Sequence, residues 1–322
     1  MLTFTAAMLA SNVSIANAAD APPAYPNKPV RMIVAFAPGG SSDVVARVMA
    51  QHLTTMWGQQ VVVDNRPGAS GMLGHEIGAR APADGYTIML TSIGPLAVNP
   101  ILYKKAGYDP LKSFTPVTLT VSLLNALVVH PSVPATSVKE LIAYARARPT
   151  QITYGSSGIG GAGHLAGELF SSMAGVKLTH VPYKGGALAM IDLVGGQIQA
   201  IFSTLVTALP HMKTGKIRGL AVTTKERAPM APELPTIAEA ALPGFEANNW
   251  DGMLFPASTP RAIVTKVNRD TGRVLNLPEV RDFLSAQGAL PTPSTPEAFS
   301  KYLQSEIDKW RVVVQRAGIR AE

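Results

Sequence analysis

The 322-residue chain contains no cysteine, which excludes a disulfide framework, a thiolate metal site and a cysteine nucleophile. Charge is also scarce, at 15% of residues against 47% hydrophobic, yet the pattern is not that of a disordered chain, and the length is roughly two domains' worth. Lys and Arg number 28 against 21 Asp and Glu, giving a net charge of +7 and a surface that attracts anions in general. The cations stand singly, with no run longer than Lys104-Lys105, so nucleic acid is not an expected partner. Beyond the first residues, no apolar stretch reaches the roughly 18 residues needed to span a bilayer. Several catalytic signatures are missing too. There is no G-x-x-x-x-G-K-[ST] loop, and Gly155-Ser156-Ser157-Gly158-Ile159 fails the G-x-S-x-G elbow at its last position. His75-Glu76 opens an H-E-x-x-H pattern, but Ala79 stands where the second histidine must be, so no metal is expected.

What is present begins with an uncharged, apolar-leaning leader over residues 1–18 that ends in Ala16-Asn17-Ala18, the pattern of a signal-peptide cleavage site. The expectation is an exported chain. Downstream, short β-branched runs alternate with helical stretches. Strands are expected over Val30–Ala37, Gln60–Val63, Tyr86–Thr91, Leu127–His130, Gln151–Tyr154, Leu178–Tyr183, Gln197–Ser203 and Ile217–Thr223. Helices are expected near Ser42–Met56, Met72–Arg80, Val138–Arg148, His164–Met173, Leu188–Leu193 and Val206–Thr214. From Arg261 the pattern is helical to the end, the last helix opening at Thr295-Pro296-Glu297 with threonine as N-cap and proline at the first turn. Apolar strands joined by helices predict an α/β fold whose sheets are mostly parallel.

One feature recurs. A strand, a glycine-rich turn and a helix start occur at Ala37-Pro38-Gly39-Gly40-Ser41-Ser42-Asp43 and again at Tyr154-Gly155-Ser156-Ser157-Gly158-Ile159-Gly160-Gly161-Ala162-Gly163-His164. Glycine lets backbone N–H groups converge on one oxygen, and the helix that follows leaves its first donors unpaired. Together they bind anions without a cationic side chain. Two such loops, one in each half, suggest two lobes gripping an anion between them, outside the carboxyl ends of the strands. Ser41, Ser42, Ser156 and Ser157 add hydroxyls, Asp43 is expected to cap local N–H groups, and His164 is a candidate ligand contact. The Gly158-x-Gly160-x-x-Gly163 spacing also matches a dinucleotide fingerprint, which keeps an NADP-dependent enzyme open as an alternative. No acid follows the next strand over Leu178–Gly186, and no cofactor is expected.

The chain also resembles a known family. Along its length run Tyr25-Pro26-x-Lys28-Pro29, Ala37-Pro38-Gly39-Gly40-x-x-Asp43-x-x-Ala46-Arg47, Val63-x-Asn65-Arg66-Pro67-Gly68-Ala69-x-Gly71 and Asp84-Gly85-Tyr86-Thr87. Then come Gly163-His164-Leu165-Ala166-Gly167-Glu168-Leu169-Phe170, His180-Val181-Pro182-Tyr183-Lys184-Gly185, Arg218-x-Leu220-Ala221-Val222-Thr223 and Pro235-Thr236-x-x-Glu239. In this order they resemble the Bug, or TctC-like, substrate-binding proteins of tripartite tricarboxylate transporters. The resemblance implies a periplasmic, two-lobed binding protein of the type II-like Venus-flytrap kind. Its lobes would be residues 25–124 with 248–322, and residues 125–247. It also implies a small carboxylate ligand, permease subunits as partners and no catalysis, with a carboxylate sensor as a further alternative. By similarity, Ala37, Gly39, Gly40, Ser41, Asp43 and Ser92 would face the ligand from the first lobe. Ser157, Gly160, Ala162, His164 and Ser203 would face it from the second, with Trp250 near the cleft. Two departures stand out. Ser203-Thr204 replace an Asp-Asn pair that can anchor an amino group, which argues against an amino-acid ligand, and Asp251 follows Trp250 where an aromatic is usual.

Overall fold

The computed structural model describes residues 25–103 and 106–317, so the signal peptide expected over residues 1–18 lies outside the described residues. The first apolar run forms β1 (Val30–Val34), and the first glycine loop then feeds α1 (Ser41–Trp57). Next come β2 (Val61–Asn65), α2 (Met72–Ala79), β3 (Thr87–Ser92), α3 (Asn99–Leu102) and β4 (Phe114–Leu123). After one residue, Leu124, the chain enters a second set: β5 (Asn125–Val129), α4 (Val138–Arg146), β6 (Thr153–Ser156), α5 (Ala162–Ala174), β7 (Thr179–Pro182) and α6 (Gly186–Val194). That set ends with β8 (Ala200–Thr204), α7 (Leu205–Lys213), β9 (Arg218–Val222) and α8 (Ile237–Ala240). The chain then returns through β10 (Asn249–Pro256), α9 (Arg261–Leu275), α10 (Pro278–Ala286), β11 (Ala289–Pro291) and α11 (Pro296–Ala317).

The strands form two sheets, ordered β11-β4-β10-β3-β1-β2 and β7-β6-β8-β5-β9. Both are mixed rather than mostly parallel. β1 pairs in parallel with β2 and β3, and β6 with β7 and β8, as the βα units require. β10 runs antiparallel to β3 and β4, β11 antiparallel to β4, and β5 antiparallel to β8 and β9. The cause is the double crossing between sheets. A chain that leaves at Leu124 and returns at Asn249 must place strands of both directions side by side, and Asn249 pairs with Leu123 at that junction. The C-terminal region is correspondingly not helical throughout, because β11 extends the first sheet.

Each sheet is buried on both faces. Val30, Met32 and Val34 pack beneath α1, α9 and α10, whereas Ile33 faces the opposite layer with Trp250, Phe299 and Trp310. In the second sheet Leu127 and Val129 face α4 and α5, and Ala126 and Val128 face α6 and α7. This double burial explains why the strands are near-continuous apolar runs.

Candidate functional site

Four helices begin on one cavity. α1 and α5 have glycine N-caps, Gly40 and Gly161, neither of which makes a side-chain capping bond. The first helical bonds are Val44 N–H to the Gly40 carbonyl and Leu165 N–H to the Gly161 carbonyl, each 3.0 Å. The N–H groups of Ser41, Ser42 and Asp43, and of Ala162, Gly163 and His164, precede those bonds and have no intrahelical acceptor. α6 and α7 reach the same cavity through Gly186 and Ala189 and through Thr204 and Thr207. Each helix end carries roughly half a positive charge. All four follow parallel strands, so they gather at the strands' carboxyl ends, where open α/β sheets bind ligands.

The cavity measures about 70 Å³. At roughly 10–15 Å³ per water it has room for a handful of waters or a small organic acid. Both lobes line it. Of the residues anticipated from sequence, Gly40, Ser41, Ser42 and Ser92 line it from the first sheet's side, and Ser156, Ser157, Ala162 and Ser203 from the second's.

The other six stand back from the wall. The Ala37 N–H is taken by the Lys184 carbonyl at 3.2 Å, a bond that joins the two lobes. Gly39, at φ +81°, donates its N–H to Asp43 Oδ2 at 2.9 Å. Asp43 also receives a two-pronged contact from the Arg47 guanidinium and a bond from Asn65 Nδ2. Burial opposes its charge, but Arg47, the Gly39 N–H and Asn65 outweigh burial and hold the carboxyl below its ordinary value. Asp43 therefore fixes the turn. Gly160 donates its N–H to His164 Nδ1 at 3.0 Å, so the pair holds the second loop from behind instead of offering donors to a ligand. Burial lowers the His164 pKa against the opposing pull of Glu168, keeping the ring neutral and able to accept. Trp250 is buried against Phe299 and Tyr302 and donates Nε1 to Glu306. Successive residues of a strand point to opposite faces, so Asn249 and Asp251 meet the cavity and Trp250 does not.

Sequence reasoning singled out neither Asn125 nor Asn249, and gave Asp251 only as a departure from pattern; all three line the cavity. Asp251 is fully buried and is the one ionisable residue of the lining. Its Oδ1 accepts from Ser42 Oγ at 3.2 Å, while Oδ2 has no partner, and neither does Asn125 Oδ1. Burial, only partly offset by Ser42, pushes the Asp251 carboxyl up to about 7. The signal that could have found them is the chain's two crossings, which bring the starts of β5 and β10 together.

Among the described residues no group of three or more His, Asp or Glu could hold a metal. Space over the dinucleotide-like glycines is occupied: an added Cβ on Gly160 would lie 2.3 Å from Asn99 Oδ1, and one on Gly158 2.5 Å from Ser70 Oγ. A nucleotide several times the cavity's size does not fit this arrangement. No helix among the described residues is long and apolar enough to cross a membrane.

Comparison with known proteins agrees with this architecture. Residues 45–319 match the model of the tripartite tricarboxylate transporter family receptor. Protein BugT of Bordetella pertussis is 37% identical over 297 residues, covering 92% of this chain and 91% of that protein. Among solved structures, R. palustris Rpa4515 with adipate superposes with a TM-score of 0.90 at 40% identity, covering 92% and 99% of the two chains. MatC from Rhodopseudomonas palustris with bound malate gives 0.86 at 31%, covering 90% and 100%.

Proposed function

The chain belongs to the tripartite tricarboxylate transporter receptor family, and on that premise we propose that it is a periplasmic solute receptor that closes two lobes on a small carboxylate and presents the closed form to permease subunits. The lobes would be residues 25–124 with 248–322, and residues 125–247, turning about the crossings at Leu124 and Asn249. The observation that carries this reading is the pair of uncapped helix entrances, α1 and α5, facing one cavity from opposite sheets. Buried helix ends require partners. Here the unpaired donors meet in a space whose lining has no basic side chain, so main-chain N–H groups, supported by the hydroxyls of Ser41, Ser92, Ser157 and Ser203, would take the carboxylate oxygens. That two relatives were solved with adipate and with malate supports an acid of similar size. Ser156 at the cavity pairs with His180 Nε2 at 2.7 Å, but its Oγ is tied to the Gly158 backbone and burial pushes His180 down to about 3, too weak a base to activate a nucleophile. The role is therefore capture and release by hinge closure, not catalysis.

A thermal-shift screen of the mature chain against mono-, di- and tricarboxylates, with NADPH as a control, tests the reading. A true ligand at a hundred times its Kd stabilises by about 2.7 kcal/mol. Stabilisation by NADPH and by no carboxylate would overturn the receptor assignment.

A further inference from the structure

Three features of the cavity remain unused by a plain carboxylate. Asp251 brings a carboxyl group into a space already built for a ligand's carboxylate, and its Oδ2 has no partner. Asn125, which lines the cavity from the other lobe, has an unpartnered side-chain oxygen. Lastly, no cationic side chain lines the cavity, so nothing in the lining itself balances the Asp251 carboxyl group. A buried carboxylate must be paired with a cation or neutralised, and buried acceptors require donors. An ammonium answers both needs, since it brings three donors, no acceptor and a positive charge. A hydroxyl would bring one donor and leave the negative charges facing each other.

Charge balance points the same way. Four helix ends supply roughly two positive unit charges. An ionised Asp251 with an unsubstituted dicarboxylate exceeds that by about one, whereas with an amino dicarboxylate the signs balance.

We infer that the cavity takes a carboxylate that also carries a protonated amine, its carboxylate on the helix entrances and its ammonium on Asp251 Oδ2, with the Asn125 side-chain oxygen as second acceptor. The inference rests on the carboxylate-receptor reading and names the ligand class within it. It also reverses the expectation, drawn from Ser203-Thr204 alone, of a ligand without an amino group.

No neighbouring ionisable group competes for this role. β3, β4 and β5 carry none within their described spans. On α1, Asp43 is occupied by Arg47; on α2, which packs against β10, His75 is held by the Gly71 carbonyl and Thr91, and Glu76 pairs with Arg80. On α5, His164 is occupied by Gly160 and Glu168 by Tyr154; on α11, Glu306 binds Trp250 on the far side of β10.

Calorimetry on the mature chain at pH 7.5 decides, using acids paired by the presence or absence of a 2-ammonium group: propanoate and alanine, 4-methylpentanoate and leucine, succinate and aspartate, glutarate and glutamate, adipate and 2-aminoadipate. In the length that fits, the ammonium-bearing member should bind at least tenfold more tightly, and Asp251→Asn should erase that preference. Lowering the pH to 5.5 should weaken the ammonium-bearing member, which keeps the test decisive if the variant fails to fold. If the unsubstituted acid binds as well or better in every pair, or gains affinity as pH falls, Asp251 acts otherwise and this inference fails while the carboxylate receptor stands. If no acid of either kind binds, the receptor reading itself fails.

Discussion

Ser42 Oγ donates to Asp251 Oδ1 at 3.2 Å, joining the entrance of α1 to β10 across 209 residues of chain. The bond satisfies half of a fully buried carboxyl group that burial has raised from 3.8 to about 7. Between those values the folded chain holds a proton that the unfolded chain has released, so this group's contribution to stability falls as pH rises from about 4 to about 7. Asp251→Asn removes the contribution. Without ligand, the melting temperature of the variant should exceed the parent's by a margin that grows across this range, to about 5 °C at pH 7.5. A margin constant with pH would mean that Asp251 is ionised in the empty protein throughout.

The half-buried His180 acts with the opposite sign. Burial, and secondarily His164, pushes His180 down to about 3, and His180 Nε2 lies 2.7 Å from Ser156 Oγ beside the second glycine loop. Its stabilising contribution is complete above the ordinary histidine value of 6.5 and is lost as pH falls towards 3. His180→Gln, which keeps a hydrogen-bonding side chain but cannot take the charge, should flatten the decline in melting temperature between pH 6.5 and 4.5. An acid limb as steep as the parent's would contradict the assignment.

Gly160 stands back from the cavity wall, yet it should tolerate no side chain. Its φ of +79° favours glycine, and an added Cβ would meet Asn99 Oδ1 at 2.3 Å. Gly160→Ala should destabilise the chain by about 1–2 kcal/mol through strain and crowding. It should also weaken ligand binding at least tenfold, because Asn99 belongs to the first lobe and must withdraw. Urea denaturation and calorimetry read the two effects separately; unchanged affinity would place the loop outside the closing contact.

The lobes also meet where Gly185, at φ +149°, lies against Ala37, with a notional Cβ 3.2 Å from the Ala37 nitrogen that donates to Lys184. Gly185→Ala should hold the lobes apart. Small-angle scattering at saturating ligand should show a larger radius of gyration than for the parent under the same conditions, and equal radii would refute a closing role for this contact.

Much of this molecule is legible from local chemistry. The helix from Ser41 to Trp57 follows from its glycine start, its buried stripe through Val45, Met49 and Leu53, and its left-handed stop at Gly58. Both glycine loops were visible because glycine and serine cluster there at strand ends. β10 was not, since Asn249-Trp250-Asp251-Gly252 has the composition of a turn and becomes a strand only because β3 and β4 supply pairing partners on either side. The α6 and α7 entrances were missed as anion donors because Gly185 and Thr204 look like ordinary helix starts until the fold points them at one cavity. His164 and Trp250 were misplaced for a related reason: type and neighbourhood do not reveal which side of an element a residue occupies.

The uncapped starts of α1 and α5 carry a consequence for how ligand choice can change. A peptide N–H belongs to every residue except proline, so few substitutions can delete the donors while the loops keep their shape. In the proposed receptor, recognition of the acid group would thereby be insulated from mutation, and selectivity would be left to side chains such as those at positions 125, 203 and 251, free to vary around a constant grip.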